Sequence, residues 1–265
     1  MIVRTESDGS LVMITQNDHA QAAGFCAAHW GNAQFEKPRP YESAVRAAYL
    51  HDLVWLQEES LPRFNREIGQ TLNYLIVPNE TQLAEHQWAD DWLYSLDHYA
   101  GLLVAKHRTG IWNARYGMMK QPQYVQRTLH PDIEEFIARS HEKQNAGRAG
   151  LDQHELDVNY ILLQVWDLFS LYICSNENLK EQIVDPVPTG YSGQPGVRMR
   201  LNPVGPRRIS IDPYPFDTPE LVVNVVYRRL PKAKFDNEDE FRATFFAAPA
   251  ETAKFTFFDP AAGQK

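Results

Sequence analysis

Cysteine is nearly absent from this chain of 265 residues: there are two, Cys26 and Cys174, each inside an apolar helical pattern. Two such thiols read as buried rather than disulfide-bonded, and they are too few for a zinc cluster. No apolar run approaches the roughly twenty residues that a membrane-spanning helix needs. The opening Met1-Ile2-Val3-Arg4-Thr5-Glu6 has no apolar stretch of the kind that marks a secretory signal. A cytoplasmic protein with no membrane partner is expected. Positive charge is short as well. Lys and Arg number 26 against 34 Asp and Glu, a formal net charge of −8, which argues against a general nucleic-acid binder. Internal repeats and low-complexity tracts are missing. What remains is ordinary globular composition, 43% hydrophobic and 23% charged, at a length that can bury a sizeable core.

The hydrophobic period changes along the chain. Residues 1–16 read as a hairpin, with Ile2–Thr5 and Leu11–Thr15 flanking the turn Ser7-Asp8-Gly9. Helix is expected after Gln16-Asn17-Asp18 with Asn17 or Asp18 as its N-cap, with His19, Ala22, Ala23, Cys26 and Trp30 on one face, and Gly31-Asn32 ends it. Pro38 and Pro40 hold off the next helix until Tyr41. Val45, Ala48, Tyr49, Leu53 and Leu56 then recur at helical spacing, which predicts one helix to about Glu58. Helix is also expected over Glu80–Tyr94 and Gly101–Lys106, with a short one near Ile133–Ser140 and a mobile loop at Asn145–Gly150. Leu156–Cys174 is apolar nearly all round and should be buried nearly all round. After about Lys180 the texture turns β-rich. Val197–Leu201, Arg208–Ile211, Leu221–Tyr227, Phe241–Phe246 and Lys254–Phe258 read as an antiparallel meander, which the hairpin should join because an isolated hairpin is only marginally stable.

Two carboxylates fall on apolar helix faces. Asp52 lies seven residues after Val45 and three after Tyr49, with His51 at the edge of the same stripe, and Asp167 sits in the middle of the most apolar segment. A carboxylate buried without a partner is costly. One alone has a bland reading as a hydrogen-bonded core residue. Two in one chain, one of them preceded by His, call for a shared cation, and imidazole with carboxylate suits iron, manganese or zinc.

The order His19 … His51-Asp52 … Asp167 resembles that of the HD-domain superfamily of helical metalloenzymes. The contexts that carry the likeness are Asp18-His19-Ala20-Gln21-Ala22-Ala23, Ala47-Ala48-Tyr49-Leu50-His51-Asp52, and Trp166-Asp167-Leu168-Phe169-Ser170. Many HD proteins have Gly two residues after the Asp; this chain has Val54. Nearly the whole chain also resembles the domain of unknown function 3891 family. That likeness rests on Met1-Ile2-Val3-Arg4, Ile14-Thr15-Gln16-Asn17-Asp18-His19-Ala20, His29-Trp30-Gly31-Asn32 and Tyr99-Ala100-Gly101-Leu102-Leu103-Val104. It brings no activity with it. The HD resemblance implies metal ligands at His19, His51, Asp52 and Asp167, and in binuclear members two further histidines.

Spacing sorts the candidates for that second pair. His29 lies about 15 Å along the helix from His19, so both cannot bind one ion. His98 and His107 are half a turn out of phase, and His107 ends an apolar run. On one unbroken helix His86 and His107 would stand roughly 30 Å apart. A break at Ser95-Leu96-Asp97 would fold them together, and on that condition His86 and His107 complete the second site. Asp52 would then bridge the ions, while Lys106, Arg108 and Arg115 could neutralise a phosphate. His130, His141 and His154 lie in polar sequence and read as solvated.

The expected architecture is mainly α: an HD-like helical bundle over 17–180 within a single domain of 1–265. Residues 1–16 and 181–265 add an antiparallel β-sheet, for an α+β whole. The expected function is that of a phosphohydrolase acting on a small phosphorylated molecule with one or two divalent ions, iron or manganese foremost. The alternatives are a di-iron oxygenase on the same scaffold and a non-catalytic metal- or ligand-binding protein. The β-rich region is expected to cover the helices or to form a homodimer contact.

Overall fold

The computed structural model describes residues 1–112 and 129–262. Strands β1 (Ile2–Thr5) and β2 (Leu11–Ile14) form the opening hairpin. Gly9 turns it at φ +82°, and Asp8 accepts from the backbone N and the hydroxyl of Ser10. Thr15, not Asn17 or Asp18, caps α1 (Gln16–Ala28): its Oγ1 accepts from Asp18 N at 2.9 Å and donates to Asp18 Oδ2 at 2.6 Å, so both expected caps lie inside the first turn. α2 (Tyr41–Leu50) begins at once after Pro40. A 3₁₀ turn, Leu53–Trp55, leads into α3 (Leu56–Ser60). α4 (Leu83–Leu96) and α5 (His98–Trp112) are separated by Asp97, which is extended at φ −155° and accepts from Ala100 N. α6 (Pro131–Gly147) and α7 (Gln153–Ser175) complete the helical layer. After β3 (Gln182–Val187), β4 (Val197–Gly205), β5 (Arg208–Asp212) and β6 (Glu220–Leu230) come α8 (Glu238–Ala247) and β7 (Ala250–Phe258).

The expectation of an HD-like helical bundle with a small added antiparallel sheet is overturned. The fold is α+β, about 47% helix and 21% strand, and its seven-stranded mixed sheet curls into a half-barrel. Strand order is β1-β2-β6-β7-β5-β4-β3. β2 pairs with β6, so the hairpin is one edge of this sheet. β7 inserts between β6 and β5; it runs antiparallel to β6 and therefore parallel to β5. A meander read strand by strand along the chain cannot contain that insertion.

Three local expectations are also corrected. Phe241–Phe246 is helix, within α8. Asn237 caps it by accepting from Glu240 N at 2.9 Å, and Glu238, Asp239 and Glu240 suit its positive end. Phe241 and Phe245, four residues apart, pack with Leu11 and Met13 on the sheet's other face. The helix from Tyr41 stops at Leu50 rather than near Glu58, so His51 and Asp52 lie in the turn after it. Asn145–Gly150 is no loop throughout, because α6 continues to Gly147.

The main core fills the space between the helices and the inward face of the sheet. Val223, Val225, Phe255 and Phe257 point in from β6 and β7 to meet Trp166, Phe169 and Ile173 of α7. Among the described residues α7 alone is long and apolar enough to cross a bilayer, and 78% of its apolar window is buried inside the fold.

Candidate metal centre

Three helices and one turn converge where α1, α2, α5 and α7 pack. α1 contributes His19, the turn after α2 contributes His51 and Asp52, α5 contributes His107, and α7 contributes Asp167. The break after Leu50 matters here. On a continuous helix adjacent side chains diverge by about 100°. Asp52 instead takes φ −109° and ψ 20°, and both His51 and Asp52 reach the same point. Leu53, Val54 and Trp55 then turn away into a separate apolar cluster with Val77 and Ala89.

Distances within the group are short. His19 Nε2 lies 3.2 Å from His51 Nε2, 3.2 Å from Asp52 Oδ2 and 3.3 Å from Asp167 Oδ1. His51 Nε2 is 3.4 Å from Asp167 Oδ1 and 3.7 Å from Asp52 Oδ2. One ligand atom from each of His19, His51 and Asp167 lies within 4.8 Å of the others. Around the back of Asp167, His107 Nε2 is 3.4 Å from Oδ2, and its ring stands edge-on to that of His51 at 5.5 Å.

The outer contacts orient the imidazoles. His51 Nδ1 donates to the Ala48 carbonyl at 2.8 Å. Ser170 Oγ donates to the Asp167 carbonyl at 2.8 Å, which leaves it to accept from His19 Nδ1 at 2.7 Å. With both Nδ1 atoms engaged, both Nε2 atoms face the cluster. Gln16 Nε2 donates to Asp52 Oδ2 at 3.1 Å. The sequence reading does not single out Gln16, although its place three residues before His19 on the same helix face was the available signal.

Burial and charge oppose each other at His51, Asp52 and Asp167. Burial pulls the His51 pKa down, but the Asp52 and Asp167 carboxylates outweigh it and raise it to about 9. Burial pushes the Asp167 carboxyl up, and hydrogen bonds from His107 and His51 with the nearby imidazole charges drive it well below the usual carboxylate range. Asp52 is likewise lowered against its burial, by His51 and His19. The Asp52 side chain retains 16% exposure, whereas those of His19, His51, His107 and Asp167 retain 1–5%. Solvent therefore meets the cluster at Asp52.

The donor set fits a divalent cation. Ligands about 2.0–2.2 Å from one ion in tetrahedral array stand about 3.3–3.6 Å from each other. The separations among His19 Nε2, His51 Nε2 and Asp167 Oδ1 run from 3.2 to 3.4 Å, which suits three of the four positions, and Asp52 Oδ2 stands 3.2 and 3.7 Å from the two imidazoles. Imidazole nitrogens aimed at carboxylates, each held by an outer acceptor, are what such an ion requires.

The other sequence candidates sit elsewhere. His86 packs edge-on to Trp112 at 4.8 Å and near Phe136, and its ring nitrogens have no hydrogen-bond partner among the described residues. The chain does break at Asp97, but the fold-back sets His86 beside Trp112 rather than at Asp167. Arg108 is buried, and its guanidinium is taken by Asp90 and the His86 carbonyl. Lys106 pairs with Asp157 near the surface and lies 5.0 Å over the Tyr160 ring. Neither cation is directed at the cluster. Arg115 lies outside the described residues. His29 pairs with Asp217 at 2.9 Å, and His130 caps α6.

A family model described as "Protein of unknown function (DUF3891)" matches residues 1–232. The match ends before α8 and β7. No curated protein and no solved structure matches the chain.

Proposed function

The chain belongs to the DUF3891 family, whose description assigns no activity, and from the site itself we propose that it is a metal-dependent phosphohydrolase acting on a small phosphorylated molecule. The observation that carries this reading is the buried convergence of His19, His51 and Asp167 with Asp52 at its open edge. The order and local context of these residues resemble HD-type phosphohydrolases, which supports the same choice.

In this reading His19 Nε2, His51 Nε2, Asp52 and Asp167 hold one divalent ion. His107 is a positioning residue: it holds the Asp167 oxygen turned away from His19 and His51. When bound, the ion supplies Lewis acidity, polarising a phosphoryl oxygen and making water a stronger acid. Asp52 stays ionised through neutral pH and stands where solvent enters, so it can accept a hydrogen bond from the attacking water and orient it. Gln16 fixes the Asp52 carboxylate in that role. Apolar helix faces around the cluster exclude water from every side but Asp52's, which strengthens the charge interactions within it. Among the described residues Arg108 and Lys106 are committed to Asp90 and Asp157, so neither is directed at a phosphate beside Asp52. His86 stands apart with Trp112, which favours one ion over two and hydrolysis over di-iron chemistry.

The test is elemental analysis of protein purified without a polyhistidine tag, with phosphate release measured over a panel of phosphomonoesters in Mn²⁺, Co²⁺ or Fe²⁺. The expected result is about one ion per chain and metal-stimulated release, both lost in Asp167→Ala. Full metal occupancy in that variant refutes the site. A mixed-valent di-iron signal without phosphate release refutes the reaction.

A further inference from the structure

We propose that the mouth of the half-barrel is a second binding site, one for a small planar anion with an aromatic body. α7 ends at Ser175, and Ile173 near that end, with Asn176 and Glu177 just beyond it, borders the inward face of the sheet. Beyond that end lies an open groove of about 560 Å³. The volume is that of small-molecule sites, which favour the mouths of β-barrels. Val225 of β6 and Ala253 and Phe255 of β7 form an apolar floor, and Ile14 and Ile173 close one wall. No residue of the His–Asp cluster lines the groove. Asp167 and Ile173 are six residues apart on α7, about 9 Å along its axis. The proposal is thus independent of the metal reading.

Charge at the rim selects the ligand. Three guanidiniums and two carboxylates border the groove: Arg4, Arg207, Arg229, Glu6 and Glu177. Most are already engaged. Arg4 gives Nε to Glu6 at 2.8 Å and Nη1 to the Cys174 carbonyl at 2.6 Å, which ties β1 to the end of α7. Glu177 accepts from the Ser7 hydroxyl and backbone. Arg229 donates to Ser10 Oγ and stands 3.8 Å from Asp8. Arg207 differs: among the described residues no carboxylate pairs with it. Its guanidinium carbon lies 5.8 Å from the centroid of the Phe255 ring, so an uncompensated cation hangs above the apolar floor.

The backbone at Arg207 points the same way. It is the one non-glycine residue at positive φ among the described residues, at +57°. Gly or Asn adopts that conformation at less cost. Strain of this kind gathers at ligand sites. A flat apolar anion would lie on Phe255 under the planar guanidinium and present its charge to Arg207. Inorganic phosphate would leave the floor unused, and a cation would be repelled.

The experiment titrates the full chain with 2-naphthoate and, in parallel, with the charge-inverted 2-naphthylmethylamine, followed by calorimetry or protein NMR shifts. Saturable binding of the anion, and binding of the amine weaker by about tenfold or more, are expected. Arg207→Asn removes the guanidinium while suiting the left-handed backbone, so the turn is retained, and it should weaken naphthoate by about tenfold, the loss of one charge-assisted bond. Ala253→Leu fills the floor and should block binding in a protein whose circular dichroism is unchanged. The proposal is overturned if naphthoate does not bind saturably, if the amine binds as well, or if Arg207→Asn binds as the parent does.

Discussion

At the scale of single residues, the site rests on which imidazole nitrogen is left free. Ala48 and Ser170 take the Nδ1 atoms of His51 and His19, so the Nε2 atoms can meet either a proton or an ion, not both. In the metal-free protein the carboxylates raise His51 to about 9, so it carries a proton at neutral pH. An incoming ion must displace it. Metal affinity should therefore rise with pH and level off near 9. Calorimetry at pH 7.5 in buffers of different ionisation heat should show release of about one proton per ion. The metal-free fold should respond in the opposite sense. A raised histidine pKa stabilises below the unfolded value of about 6.5, and that contribution is lost as pH climbs through the folded one. Metal affinity that does not change between these limits would contradict the assignment of His51. Asp167 shows how much of this was legible beforehand. An Asp inside an apolar face demands a partner, and three imidazoles stand 3.3–3.4 Å from it. Arg108 shows the limit. Its closeness to His107 in the chain suggested phosphate binding, but a helix turns each successive side chain away, and Asp90 of α4 lies where Arg108 points.

At the scale of elements, the proposed metal centre depends on how closely α1 and α2 approach, since they carry His19 and lead to His51. Gly24 sets that distance. A Cβ there would fall 2.2 Å from Cγ and Cδ1 of Tyr49, at the root of the ring rather than its mobile end. Gly24→Ala should gain up to about 1 kcal/mol of helix propensity and lose more to overpacking. The expected net loss is about 1–2 kcal/mol by urea denaturation, together with weaker metal binding. A variant more stable than the parent would show that the two helices can part without cost. The junction of α4 and α5 was legible because Asp97 is a good N-cap. The end of α2 was not: the apolar spacing of Leu53 and Leu56 continues through it, although Leu53 joins a separate cluster and Leu56 is exposed.

At the scale of the molecule, Trp30 joins the two layers. It is fully buried at the end of α1, bridges to Phe216 next to the sheet, and meets Phe35, Trp166 and Phe216 edge-on at 5.4–6.0 Å. Trp30→Ala should cost about 3–5 kcal/mol. Loss of secondary structure and of metal should coincide in a single denaturation curve, since the same packing holds sheet and helices together. Two separated transitions would mean that the layers fold independently.

The sequence by itself determined the things that depend on neighbours along the chain: the hairpin at Ser7–Gly9, the buried length of α7, and the need of Asp52 and Asp167 for partners. These follow from side-chain period and from the cost of an unpaired charge in an apolar setting. Only the tertiary structure decided what depends on residues far apart. It inserted β7 beside β5, made Phe241–Phe246 a helix over the sheet, closed the sheet into a half-barrel, and turned His86 and Arg108 away from the cluster. The physical reason is that strand partners and the direction of a buried side chain are chosen by whichever distant surface needs covering, and local period is blind to that choice.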